Sequence, residues 1–338
     1  MSTQSTGSAS APGSTGGGAE RPGSINAVPV RHPGRWLAVV VILVLAAKGI
    51  QILVTNPAFD WNFIGQAMVQ SPVIHGLVAG TIVATFGAMA IGVALGVLLA
   101  VMRLSENKVL SYAAWFYIWF FRGVPRYVLL ALMGALGVVF PPSRGGLGVG
   151  IPFGPELMKL FGLHGGLQVF SLDANHLLGG ILGGILGLGL SEAAYMAEIA
   201  RAGILSVDPG QQEAAYAIGM SRGKAMWRVV LPQAMRVIVP PTGNETIGMF
   251  KDTTLMTALP VTVELFYQLN NIGLNTFKSF DTDVAAILWY LVICSVMMFG
   301  QMHLERYFGR GFGSKEQRRK LFTFKVKALS TSDSGGHR

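Results

Sequence analysis

The chain is poor in charge, nearly free of cysteine, and lacks any phosphate-binding loop. Only 13% of its 338 residues are charged, about half the roughly 25% typical of a soluble domain. Hydrophobic residues make up 51%, and mean hydropathy is +0.50. Lipid is therefore the expected solvent for much of the chain. The single cysteine, Cys294, lies in an apolar run, which excludes an internal disulfide and a thiolate metal cluster. The six histidines are scattered without metal-ligand helix spacing, so neither a metal nor a cofactor is expected. No G-x-x-x-x-G-K-[ST] run and no nucleophile elbow occurs, so the chain is not expected to hydrolyse ATP or to act as an enzyme.

The formal charge of +9 raises the question of nucleic acid, but the charges sit in the wrong places for it. Basic residues cluster between apolar runs, as in topology-setting loops, and not on a face interleaved with exposed aromatics. Residues 1–34 are rich in Ser, Gly, Ala, Pro and Thr. They cannot bury enough surface to offset ordering entropy and are expected to form a disordered tail. Six apolar segments follow, near 36–54, 76–102, 109–140, 176–200, 237–265 and 284–304, each long enough to cross about 30 Å of hydrocarbon. The third contains Arg122 and Pro125; the fifth contains Pro240, Pro241, Asn244, Glu245, Lys251 and Asp252. One set of loops holds Arg31, Arg35, Arg103, Lys108, Arg201, Arg222, Lys224, Arg228 and Arg236, together with the basic tail. The opposite set, 55–75, 141–175 and 266–283, holds only Arg144, Lys159 and Lys278. Both termini are therefore expected in the cytoplasm, with six crossings of the plasma (cell inner) membrane between them.

Glycines at four-residue spacing (Gly179, Gly183, Gly187; Gly180, Gly184; Gly76, Gly80; Gly92, Gly96) read as smooth faces for close helix packing. The polar stretch after the fourth segment reads as a helix-turn-helix. Asp208 can cap, Pro209 suits the first helical position, and Gln211 has capping-box spacing. Gly219 suits the left-handed residue that ends such a helix. Ser221 can cap a second helix, with Ala225, Trp227, Val229, Val230 and Leu231 as its apolar side and Pro232 bending or breaking it.

The pattern Glu213-Ala214-Ala215, three residues, Gly219, nine residues, Val229, one residue, Leu231-Pro232 resembles the cytoplasmic loop of permease subunits of ATP-binding-cassette importers. The runs 192–204, Leu231-Pro232-Gln233-Ala234, Lys251-Asp252-Thr253-Thr254-Leu255 and Phe121-Arg122-Gly123-Val124-Pro125 are similar to the polar amino-acid branch, in the family's order over about 60–305. The resemblance implies an all-α polytopic bundle of the type I importer permease fold. Its core is expected at 76–305 with a coupling loop at 201–236, preceded by an extra transmembrane helix and outer linker at 35–75 and followed by a basic tail at 306–338. It also implies alternating access, driven by a dimer of cytoplasmic ATP-binding subunits that the loop helix docks onto through Glu213, Ala214, Ala215, Gly219, Leu231 and Pro232. A second permease, identical or paralogous, and an extracytoplasmic substrate-binding protein complete the expected assembly in membrane lipid. A self-contained secondary transporter or channel is the alternative.

Ionisable and polar groups inside membrane segments are costly and mark interior or water-filled paths. Arg122, Glu192, Asn244, Glu245, Lys251 and Asp252 are the candidate pathway residues, with Pro240-Pro241-Thr242-Gly243-Asn244 a possible helix break offering backbone dipoles. Lys251 and Asp252 are adjacent and poor partners for each other; one can line the path while the other pairs across an interface. The chain departs from the family pattern at Arg126-Tyr127-Val128, where relatives tend to be apolar, at Ser191-Glu192, where small residues are usual, and in the long outer loop 141–175. The expected cargo is a polar amino acid, glutamate first, with glutamine, arginine or histidine as alternatives.

Overall fold

A computed structural model describes residues 33–139, 147–150, 159, 162, 168–172 and 178–308. Of the tails expected at 1–34 and 306–338 only 33–34 and 306–308 are described, and most of the loop 141–175 lies outside the described residues. The chain divides into residues 1–59 and 60–338. The first unit carries α1, Pro33–Thr55. Its apolar stretch Gly34–Thr55 has mean hydropathy 2.6 and is long enough to cross a membrane.

The second unit starts at Asp60, whose carboxylate caps α2 (Trp61–Met68) by accepting from the Phe63 N–H at 3.0 Å. A hydrogen bond from Lys278 at 2.6 Å, with the Phe63 N–H, holds the Asp60 carboxyl below the usual carboxylate range. Ile64 and Ala67 of α2 are fully buried, so residues 60–75, expected as linker, fold with this unit. Next comes α3, residues 71–103, which widens into a π-helical turn over Gly76–Ile82.

The segment expected as the third crossing is divided into α4 (Lys108–Gly123) and α5 (Arg126–Val139), which meet at 99°. Pro125 accounts for the break. Its ring drives the preceding residue out of the helical region, and Val124 is extended at φ −94°, ψ 130°. A small antiparallel ladder, β1 (Leu147–Gly150) with β2 (Gln168–Leu172), is the one departure from all-helical structure among the described residues.

Then come α6 (Gly180–Leu205), α7 (Pro209–Ala217) and α8, residues 222–252. After α8 the chain tightens into a 3₁₀ turn, Thr253–Ala258, and continues to α9 (Leu265–Thr276) and α10 (Ser279–Phe308). Among the described residues four helices are long and apolar enough to cross a membrane, five if α4 and α5 form one span. α8 is long but less apolar, and the expected count of six includes it. The break expected at Pro240-Pro241 is absent, since helix continues from Leu231 to Asp252. Gln301 of α10 donates to the Pro240 carbonyl at 2.8 Å, tying α10 to this stretch of α8.

α6 is the centre of the bundle, and its glycines admit a different neighbour at each level. A Cβ on Gly184 would meet Met256, on Gly187 Leu130, on Gly189 Ile91, and on Gly203 Ile238. α3 answers with Gly92 and Gly96, where an added Cβ would lie 2.7 Å from Glu192 Cγ and 2.5 Å from Met196 Cβ. Small residues at these positions let backbones approach closely, the packing mode available in lipid. A second core gathers α2, α3, α9 and α10 around Phe250, Leu265 and Leu269, and includes the buried Cys294. There Glu264, wholly buried, accepts from Thr81 Oγ1 (3.0 Å), Tyr290 OH (2.8 Å) and the Tyr267 N–H (3.0 Å). Gly80 lies directly against the Val263 carbonyl beside it.

Overpacking a filled interface costs about 1–3 kcal/mol. Gly96→Ala should therefore lower the unfolding temperature of the purified protein in detergent. Gly223→Ala, where an added Cβ meets nothing within 4 Å, should leave it unchanged. Equal melting of the two variants would contradict close α3–α6 contact.

Candidate functional site

Two features stand out at different levels of the bundle: the polar loop between α6 and α8, and a charge cluster where α5, α6 and α8 converge. The loop is built largely from local chemistry. Asp208 accepts from the Gly210 N–H at 2.8 Å and opens α7, with Pro209 at its first position. The reciprocal half of the expected capping box is not made; the Gln211 side chain reaches instead toward Gln233, at 3.5 Å. Gly219 has φ +83°. Its N–H bonds the Tyr216 carbonyl at 2.9 Å while the Met220 N–H bonds that of Ala215 at 3.0 Å, the paired bonds of a Schellman termination. Glu213 and Ala214 project into the open, whereas Ala215 is buried against the loop's own second helix.

That second helix departs from expectation in three places. Ser221 precedes it but its hydroxyl makes no cap bond. Trp227 is 73% exposed, because two residues on from buried Ala225 a helix has turned by about 200° to its opposite side. Pro232 does not break the helix. A π-helical turn, Met226–Val230, precedes it, and this wider turn accommodates a residue that has no N–H to donate. Leu231 is half-buried and Pro232 exposed.

The charge cluster centres on a residue absent from the expected set. Arg126, the first residue of α5, places one guanidinium nitrogen 2.9 Å from Glu192 and another 2.5 Å from Asp252. Its guanidinium also lies over the Tyr195 ring, 4.7 Å from the centroid. Arg122, the expected basic member, is exposed one turn before the Pro125 bend and reaches only the edge of the site, 5.6 Å from the same ring. Glu192 is completely buried, and its second oxygen, like the Ser191 hydroxyl, has no hydrogen-bond partner among the described residues. Glu245, half-buried, lies within electrostatic range of Glu192. Lys251 and Asn244 point outward; the Lys251 ammonium makes no ion pair among the described residues.

The structure thus unites Glu192 and Asp252 around Arg126, with Glu245 near Glu192, and leaves Arg122, Asn244 and Lys251 at the periphery. Two carboxylates share one guanidinium, and a third, that of Glu245, lies near the first of them and not on the guanidinium. A signal for Arg126 was available. Arg126 and Glu192 are both departures from the family pattern, they carry opposite charge, and each stands where an apolar or small residue is usual.

Residues 92–310 match the family described as binding-protein-dependent transport system inner membrane component. The arginine transport system permease protein ArgU of Corynebacterium glutamicum is 39% identical over 301 residues, 88% of this chain and 87% of that one. The probable amino-acid permease protein YxeN of Bacillus subtilis is 35% identical over 206 residues, 60% of this chain and 77% of that one. Among solved structures, an amino acid ABC transporter with histidines is 29% identical, covering 70% of this chain and 94% of that one with a TM-score of 0.53. A bacterial alginate ABC transporter, 16% identical with a TM-score of 0.53 over 82% of this chain and 96% of that one, shares the fold. Nothing in the loop or the charge cluster offers a catalytic set, and both lie within the matched region. The chain belongs to the family of inner membrane components of binding-protein-dependent transport systems, as a multi-pass amino-acid ABC permease and not an enzyme.

Proposed function

We propose that this permease moves a cationic amino acid, arginine foremost, and that the Arg126–Glu192–Asp252 cluster lies on its route. The observation that carries the reading is the surplus of carboxylates around Arg126, with one oxygen of wholly buried Glu192 left without a donor among the described residues. A guanidinium or ammonium is the ligand such a site lacks; it can take the unpaired Glu192 oxygen, while the edge of Arg126 that holds the partly exposed Asp252 can turn to the substrate carboxylate. On this reading glutamate, the first expectation from sequence, is the less favoured cargo, because its side-chain carboxylate would be repelled by those already present. The similarity to an arginine permease protein agrees with it.

The loop 201–236 is the docking lever for a cytoplasmic ATP-binding subunit, with Glu213 and Ala214 presented on α7 and Gly219 fixing the turn behind them. Two permease chains, identical or paralogous, enclose the path, and a binding protein delivers substrate from outside. Both termini face the cytoplasm, as the basic loops require.

The test is uptake into vesicles containing the chain with its ATPase and binding protein. ATP-dependent uptake of arginine, competed by lysine and not by glutamate, is expected. Preferential glutamate uptake would sink the cationic reading, and uptake by the chain alone on an ion gradient would sink the importer reading. Glu192→Gln should reduce arginine uptake about tenfold or more by removing one charge-assisted partner, with smaller loss for glutamine.

Removing Arg126 strands a buried carboxylate, which costs about 3–5 kcal/mol. Arg126→Ala should therefore destabilise the purified protein in thermal unfolding, and the double variant with Glu192→Gln should recover much of the loss. Glu213→Lys should abolish co-purification with the ATPase while membrane insertion stays intact; normal co-purification would refute the docking assignment.

A further inference from the structure

The charge cluster leaves two adjoining cavities at the loop end of the bundle unexplained. The first, 270 Å³, runs between α3, α6 and α8 from Val93 and Thr246 to Ala100, Ile204 and Leu231. No charged side chain lines it. Its threonines are already committed: the Thr242 hydroxyl donates to the Ile238 carbonyl at 2.8 Å and that of Thr246 to the Thr242 carbonyl at 2.8 Å. Water would find few partners there, and apolar cavities of this kind take apolar guests. The second cavity, 490 Å³ and open, shares Ile204 with the first and lies against Leu104, Ser105, Glu106, Arg222 and Met226. Arg222 and Glu106 face each other across it at 3.4 Å, both more than four-fifths exposed.

We infer that the two cavities form one phospholipid site, the first holding an acyl chain and the second a zwitterionic headgroup. The chemistry grades in the order such a lipid needs. An apolar slot about 10 Å deep, from Ala100 to Val93 at 1.5 Å per residue, opens onto a paired cation and anion. Arg222 meets the phosphate and Glu106 the ammonium of an ethanolamine headgroup, in place of the loose contact they make with each other. The site joins the end of α3 to the first turn of α8, so the bound lipid braces the loop. That consequence rests on the docking role proposed above; lipid retention does not.

The assembled transporter, purified in mild detergent and examined by native mass spectrometry, should retain phosphatidylethanolamine. A Val97→Phe variant, whose ring excludes about two methylenes from the slot, should retain about tenfold less. Val97→Ala, which enlarges the slot, should still bind and serves as the folded control. Arg222→Ala should lower retention and reduce the preference for phosphatidylethanolamine over uncharged diacylglycerol. Equal retention by wild type and Val97→Phe would overturn the site. So would a disulfide between two permease copies at Met235→Cys in a Cys294→Ser background, since a second chain would then fill the cavity. ATPase activity in vesicles with and without phosphatidylethanolamine reads the bracing role separately. If lipid is retained but activity is indifferent to it, the site stands and the bracing role falls.

Discussion

A wholly buried carboxylate in a membrane-crossing helix is the constraint around which the second unit is arranged. An ionised side chain at mid-helix costs about 2.5–3.5 kcal/mol even on the milder insertion scales, and Glu192 has zero exposure. Its room comes from Gly92, where any Cβ would lie on the Glu192 side chain. Its charge is answered by Arg126, which reaches it because Pro125 turns the chain and starts a new helix beside α6. The other half of the guanidinium then fixes Asp252 at the end of α8. One charge thus sets the α3–α6 spacing, requires the α4–α5 bend, and ties down the far end of α8. Apolar packing fills in around that arrangement: Leu130 and Met133 of α5 lie against Gly187, one turn from the salt bridge.

Much of this was legible in the sequence wherever the cause is local. Glycine spacing foretold close packing, and Gly92, Gly96, Gly184 and Gly187 each receive a neighbour. Asp208, Pro209 and Gly219 foretold a capped helix with a left-handed stop, and the backbone bonds are those of that motif. What escaped depends on partners remote in sequence. Pro240-Pro241 reads as a possible break, yet the helix runs on through it, with Gln301 of α10 bonded to its backbone at Pro240. Arg122 reads as the pathway arginine and Arg126 as a departure from the family pattern, and only the direction of the Pro125 bend decides which one enters the core. Glu264 passed unnoticed in an interrupted apolar segment; its three donors come from three different parts of the chain. Trp227 was assigned to the apolar side by residue type, although helical periodicity sets it opposite Ala225.

The unbroken course of α8 matters most for mechanism. Had the prolines interrupted it, the loop and the charge cluster would be separate bodies joined by a hinge. Instead one helical run links Arg222, in the loop, to Asp252, in the cluster, over about 45 Å at 1.5 Å per residue. Its wide turn before Pro232 and the bond from Gln301 at Pro240 mark its irregular points. On the proposed docking role, a displacement of the loop reaches Asp252 along the helix axis and is felt as strain on the Arg126 bridge. Asp252 is the partner suited to release, since its side chain is 35% exposed and can be rehydrated, while that of Glu192 is at 0% and cannot. Arg126 would then stay with α6 when α8 moves, leaving one guanidinium edge free for a substrate carboxylate. The asymmetry of burial between the two carboxylates therefore gives the cluster a direction in which to open.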